Sequence, residues 1–368
     1  MRTASDGMVL PWSGQRTGGA LCGRLRSARG GSQSVWKGMM SDSHVWSVLR
    51  GLIECHSTPG DEGRCAERLS AHWVRAGLEV TRHGRYAVSA RRGGRPRGKA
   101  PLLLVCAHLD SPGYIVERLE GDRAKLIPLG APRFDGDETP GWLRSGSVPH
   151  EVTLRRQQQD DADDEFWIDD VPAGVRHGDR LCFRADAGLT PTGEIRAPFL
   201  DNRLGCAVLA CLAEAVAESD GPWETVLGAT ACEEMGGFGA PVLARAVGPD
   251  AVICLDATYE APEQNVTLGG GPVLTVSDAS VVLSPGMRDR LAEWFSARGL
   301  SLQTEVYNVS GTDARAFPHQ GLACTVLPLL LPTRGNHRPR EEAVLGDLEG
   351  LVSALRHWLL SPPDLFGM

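Results

Sequence analysis

The stretch Pro101-Leu-Leu-Leu-Val-Cys-Ala107, followed at once by His108-Leu-Asp110, decides the fold. Seven residues without a charge or an apolar-polar alternation have the form of a strand covered on both faces. Two further runs repeat that form. Glu224-Thr-Val-Leu-Gly-Ala-Thr-Ala-Cys232 closes at Glu233-Glu234, and Ala251-Val-Ile-Cys-Leu255 closes at Asp256. Between them Leu204, Val208, Cys211, Leu212, Ala215 and Val216 form a helical stripe over residues 203 to 218. Helices are also expected at 65 to 77, 285 to 298 and 341 to 359, with extended pieces at 78 to 89, 301 to 307 and 323 to 331. A first helix begins after Ser43, which stands at the cap position. Strands alternating with helices predict an α/β domain, its doubly wound, largely parallel sheet flanked by helices.

Residues 117 to 192 differ in character. Short extended pieces (124 to 128, 151 to 155, 181 to 184) are separated by Gly, Pro and Asp clusters and carry little helical periodicity. They read as a small β-rich, barrel-like domain inserted between two parts of the α/β domain, 40 to 116 and 193 to 368. The acidic run Asp160 to Glu165 reads as a solvated loop, since it lacks the ligand-and-glycine order of an EF-hand.

Composition narrows the function classes. The 368 residues are 42% hydrophobic and 23% charged, and 44 Gly and 24 Pro are spread along a mixed, loop-rich chain. No apolar run approaches a membrane span. The net charge is -8; residues 1 to 39 carry +5, which leaves -13 for the body and argues against nucleic-acid partners. The first 39 residues show no periodicity and are expected to be disordered or an over-extended gene model, with translation starting at Met39 or Met40. An Arg-rich targeting tail is the alternative. The ten cysteines are scattered and form no CxxC pair, which reads as buried reduced thiols in a cytoplasmic protein.

His108, Asp110, Glu233, Glu234 and Asp256 all follow apolar runs directly, so the fold would bring them to one rim, beyond the carboxyl ends of the strands. Gathering so many ionisable groups is costly unless a cation compensates. A mixed imidazole and carboxylate shell suits zinc, with cobalt or manganese as alternatives.

The sequences AHLD, FLDNRLG, CEEMGGFGA, CLDAT, GTDA and PTRGNH, in that order, resemble metallopeptidase family 42, the tetrahedral-aminopeptidase and glutamyl-aminopeptidase type. The resemblance covers residues 44 to 358. It implies a di-metal exopeptidase that hydrolyses N-terminal residues from short peptides. His108 and Asp256 would bind one divalent ion, Glu234 and His337 the other, and Asp201 would bridge both. Asp110 would orient the His108 imidazole. Glu233 would act as general base, facing away from Glu234 on an extended backbone. Gly236, Gly237 and Gly239 would turn the chain tightly into the next helix. The resemblance also implies self-association through the insert, from a dimer up to a hollow dodecamer.

Departures from the family pattern carry further expectations. Ser111-Pro112 follows the HxD unit where an acidic residue is common, Gly335-Asn336 precedes the last histidine, and Arg315 sits in the GTDA loop. Arg315, Arg334, Arg338 and Arg340 suggest a preference for substrates bearing a carboxylate, gripped by paired guanidinium hydrogen bonds. The alternative is that these arginines pair with Glu341, Glu342 or a neighbouring subunit. Two other functions compete: a related di-zinc deacylase or carboxypeptidase, and a non-catalytic assembly or binding protein on the same scaffold.

Overall fold

The computed structural model of the protein describes residues 43–94, 98, 100–146, 148–159, 163–307 and 311–365. The expectations for residues 1 to 39 lie outside that range, as does the start of the acidic run at Asp160. The apolar runs form the middle of an eight-stranded sheet whose strands are β1 (Leu78–His83), β2 (Ala87–Arg92), β3 (Leu102–His108), β12 (Glu224–Thr230), β13 (Ala251–Tyr259), β14 (Val273–Ser277), β15 (Gln303–Val306) and β16 (Thr325–Thr333). Their order is β1-β2-β12-β3-β13-β16-β14-β15. The central strands β12, β3, β13 and β16 run parallel, and antiparallel pairs occur at β1/β2, β2/β12 and β14/β16.

The lack of alternation in the 101–107 run has a direct cause. Every residue of β3 is buried. Leu103, Val105 and Ala107 face a core shared with helices α1 (His44–Ile53), α2 (Gly63–Arg75), α3 (Leu200–Glu218) and α7 (Leu345–Leu360), while Leu102, Leu104 and Cys106 face the opposite core with Leu243, Ala244 and Val247 of α4 (Gly239–Val247). The sheet is therefore covered on both faces, as the sequence predicts. Two further α-helices complete the set, α5 (Pro285–Ser296) and the single turn α6 (Ala316–His319). Ser43 stands at the α1 cap position but makes no capping bond, and its hydroxyl donates to Glu349 instead.

The inserted domain is a closed antiparallel barrel, β4-β5-β8-β7-β6-β9, built from β4 (Gly113–Glu120), β5 (Arg123–Leu129), β6 (Glu138–Ser145), β7 (Val148–Gln157), β8 (Glu165–Ile168) and β9 (Arg180–Phe183). Tyr114, Leu126, Leu143, Leu154, Ile168 and Leu181 are buried on its inner side. A three-stranded sheet of β10 (Gly188–Leu189), β11 (Glu194–Ala197) and β17 (Glu341–Val344) was not anticipated. It corrects the expected helix 341 to 359: the first four residues pair with β11, and the helix starts at Leu345. Among the described residues no helix is long and apolar enough to cross a membrane.

A second correction concerns residues 231 to 234, expected as strand. The strand ends at Thr230, Cys232 takes a left-handed φ of 57°, and 233 to 236 form a turn. Glu233 and Glu234 thus diverge because the chain turns, and strand alternation plays no part. Gly236 and Gly237 also have positive φ, of 109° and 71°, where side chains are costly. Gly239 then lies against the β12/β2 edge, where an added Cβ would sit 2.4 Å from both Ala231 N and Tyr86 O. Gly239→Ala forces backbone apart and is expected to cost about 1 to 3 kcal/mol, typical of overpacking. A lowered denaturation midpoint at unchanged slope checks it; an unchanged midpoint would mean the edge is not tight.

Candidate active site

Strands β3 and β12 stop at the sheet's carboxyl rim, at His108 and Thr230, whereas β13, expected to close at Asp256, stays paired with β16 as far as Tyr259, so Asp256 lies inside the strand. His108 ends β3, pairs in register with Thr230 at the end of β12, and is 2% exposed. Its Nδ1 lies 3.1 Å from the main-chain carbonyl oxygen of Asp110. A carbonyl only accepts, so Nδ1 carries a proton, and Nε2 is the nitrogen left facing Asp201 Oδ1 at 3.1 Å and Asp256 Oδ1 at 3.2 Å. The Asp110 carboxylate is 3.6 Å from Nδ1. It accepts instead from the backbone N–H groups of Glu233, at 3.0 Å, and Glu234, at 3.2 Å. Asp110 therefore fixes the imidazole through its carbonyl and the Glu-Glu turn through its side chain. Glu62 pins the same turn from the other end, accepting from Cys232 N at 3.1 Å.

Asp201 precedes the regular part of α3, with non-helical backbone angles at Asp201 and Asn202 and a cis bond between them. Its second oxygen faces His337 Nε2 at 3.5 Å, and that nitrogen is 3.4 Å from Glu234 Oε1. Two triplets result: His108, Asp201 and Asp256; and Asp201, Glu234 and His337. Within each triplet the donor atoms lie within 4.8 Å of one another, and Asp201 belongs to both. Glu233 stands outside both sets but lines the same cavity, which measures about 250 Å³.

These residues fit divalent cations. Burial pushes the carboxyls of Glu233, Glu234 and Asp256 above their usual range, and neighbouring acids push Glu233 and Glu234 further. Glu234 Oε1 is buried with no hydrogen-bond donor. For His108 burial alone would favour the neutral ring, but the carboxylates around it win and raise its pKa well above the ordinary value. Clustered acids, an acceptor without a donor, and two imidazoles presenting Nε2 form a ligand set for a hard to borderline metal ion.

Several positioning residues escaped the sequence reading. Glu341, 1% exposed, accepts from the backbone N–H of Asp201 at 3.0 Å and of His337 at 2.9 Å. His337 needs such support, because its φ of 68° is unfavourable for a residue with a side chain. The main-chain N–H of Arg133, in the barrel, donates to His337 O at 2.8 Å. Two of the departures from the family pattern act on Asp201: Ser111 donates to its carbonyl at 2.7 Å, and Asn336 Nδ2 lies 3.3 Å from its Oδ2. Behind them the fully buried Arg203 donates to the carbonyls of Leu109 and Leu52. The only sequence signal for Glu341 is inward-outward alternation with Glu342, visible once 341–344 is read as a strand.

The arginines do not gather. Arg334 pairs with Glu260 and with Glu342 at 2.9 Å, Arg340 lies 3.8 Å from Glu342, and Arg338 pairs with Asp135 at 2.6 Å. None of the three lines the cavity, whereas Arg315 does, 3.9 Å from Glu233 Oε1. Only the contacts of Arg334 and Arg340 with Glu342 are among the alternative pairings expected for these arginines; Arg338 pairs with Asp135 and Arg334 also with Glu260.

Comparisons with known proteins bear on the sequence and the fold. The sequence profile described as M42 glutamyl aminopeptidase matches residues 149–353. A glutamyl aminopeptidase of Lactococcus lactis subsp. cremoris is 27% identical over 299 residues, 74% of this chain and 83% of the relative. The crystal structure of a TET aminopeptidase from a marine sediment Thaumarchaeota archaeon shares the fold, with a TM-score of 0.78 at 20% identity over 88% of this chain and 98% of that one. The Pyrococcus horikoshii TET1 peptidase, described as assembling into a tetrahedron or a large octahedral shell, gives 0.74 at 19% identity, covering 86% and 99%.

Glu341→Gln turns one acceptor into an NH2 group that faces an N–H. Metal affinity is expected to fall about 10- to 100-fold, the range for groups that orient ligands. Competition with a chromophoric chelator measures this, and unchanged affinity would show that the Asp201 and His337 backbones hold themselves.

Proposed function

The chain belongs to the M42 glutamyl aminopeptidase family and is an aminopeptidase; on that premise we propose that it removes N-terminal residues from short peptides with two divalent ions, Glu233 serving as general base. The observation that carries this reading is the pair of donor triplets sharing Asp201, with a further carboxylate beside them that neither triplet uses. His108, Asp201 and Asp256 would hold one ion, and Asp201, Glu234 and His337 the other, zinc being the first candidate. Such ions would supply polarisation of the scissile carbonyl and an acidified water.

The chain's own residues do the rest. Burial leaves Glu233 with a raised pKa, which suits a group that must both take a proton from water and return it to the departing amine. The Asp110 carboxylate holds the Glu233 and Glu234 backbone together, so the base and the neighbouring ligand keep a fixed relation. Arg315 lies close enough to bias the Glu233 carboxylate, and a substrate carboxylate would have that arginine alone within the cavity. A deacylase or carboxypeptidase would not need the free amine that this reading requires.

The insert, read as 117 to 192, would serve self-association. Leu119 and Ile127 on adjacent strands and Val148 are 46%, 44% and 53% exposed, apolar surface of the kind an interface covers. The nine described cysteines are all free, in keeping with a reducing, cytoplasmic setting.

Chelation is expected to abolish cleavage of aminoacyl-coumarin substrates, with recovery on adding zinc, cobalt or manganese, while N-acetylated substrates stay intact throughout. Glu233→Gln should lower kcat by about 10²- to 10⁴-fold with metal content retained. Activity that survives both treatments refutes the proposal. Light scattering tests assembly, and a monomer at micromolar concentration would refute the role given to the barrel.

A further inference from the structure

Beyond the metal ligands, the cavity has a second end that the hydrolytic residues do not use. It is lined by Thr258, Tyr259, Asp278, Glu305, Tyr307 and Leu330. Glu305 is 4% exposed, and both its oxygens accept from threonine hydroxyls, Thr275 and Thr258, at 2.7 Å. Among the described residues no cationic side chain forms an ion pair with it. Asp278 adds a second carboxylate whose field reaches Glu305. Arg315 bears on Asp278 as well as standing 3.9 Å from Glu233, so its charge is shared between the two ends and offsets part of Asp278, while no described cation acts on Glu305 itself.

A buried carboxylate held in place by hydroxyl donors but lacking a counter-charge is costly unless something cationic arrives. Spacing says what arrives. Thr258 and Asp256 are both buried on β13, two residues apart on the same face, hence separated by roughly 6.6 Å along an extended strand. Glu305 lies one hydrogen bond beyond Thr258. That is too far from the ligand cluster to meet the α-ammonium group, which is bonded next to the carbonyl under attack. It matches the reach of a side chain with a long stem. The walls suit such a stem: Leu330 is apolar, and the Tyr259 and Tyr307 rings, with centroids 6.4 Å apart, offer faces to methylenes and to a cation.

We infer that this end of the cavity is the side-chain pocket for a basic N-terminal residue, lysine or arginine, with Glu305 as the specificity-determining residue and Asp278 in support. The inference rests on the aminopeptidase reading and replaces the carboxylate preference drawn from the arginines.

The test uses the full chain loaded with metal and two independent readouts. In turnover, Lys- and Arg-coumarin substrates are expected to exceed Leu and Glu in kcat/KM. Glu305→Gln is expected to lower the Lys-to-Leu ratio about tenfold or more, the scale of a charged hydrogen bond. A Glu preference, or a ratio that Glu305→Gln leaves unchanged, overturns the inference. Calorimetric binding of lysinamide, leucinamide and glutamic acid amide needs no turnover. Tighter lysinamide binding that Glu305→Gln removes supports the pocket even if no substrate is cleaved, an outcome that would sink the aminopeptidase reading alone. Equal binding of all three amides overturns the pocket.

Discussion

Four carboxylates, Asp201, Glu233, Glu234 and Asp256, meet in one cleft with two imidazoles, and their mutual repulsion is the constraint that the surrounding structure has to withstand. Close-packed strands could not hold them there unaided, because burying like charges favours either protonation or opening of the cleft. The fold answers with backbone contacts made by further acids. Asp110 grips two consecutive N–H groups of the Glu-Glu turn, Glu341 grips those of Asp201 and His337, and Glu62 anchors Cys232. Each supporting carboxylate is spent on main-chain donors, so the ligands are aimed by their backbones.

The scaffold for this arrangement was legible wherever burial alone decides the residue type. The 101–107 run had to be apolar throughout because its alternate residues face two different cores, and the polar residues at its end are readable by contrast. Asp201 and His337 were less accessible to this logic. Neither ends an apolar strand, and both came from motif resemblance. Legibility failed where a tertiary contact overrides local pattern. Cys232 extends an apolar run, yet takes a left-handed conformation because Glu62 and Asp110 hold the N–H groups on either side of the turn. Glu341 and Glu342 are identical in type and adjacent, and only their pairing with β11 turns one inward to the ligands and the other toward Arg334.

The arginines near His337 show a related limit. Sequence proximity to His337 placed Arg334, Arg338 and Arg340 near the cleft, but a long flexible side chain finds whichever carboxylate lies within reach, and Glu260, Glu342 and Asp135 lie outside. Glu305 offers the reverse lesson. It stands on the short edge strand β15, yet it accepts from the threonine on β13, with β14 and β16 between them in the sheet order. Charge near a site can be counted along a chain; charge within it depends on which strands neighbour one another.

The bond from Arg133 N–H to His337 O gives the barrel a hand in the chemistry. A domain that attaches by two peptide crossings is usually free to drift, shrink or be exchanged between lineages like a cartridge. Here one of its loops braces a left-handed backbone position in the cleft, so swapping or trimming that loop would loosen His337 along with the barrel's own fold.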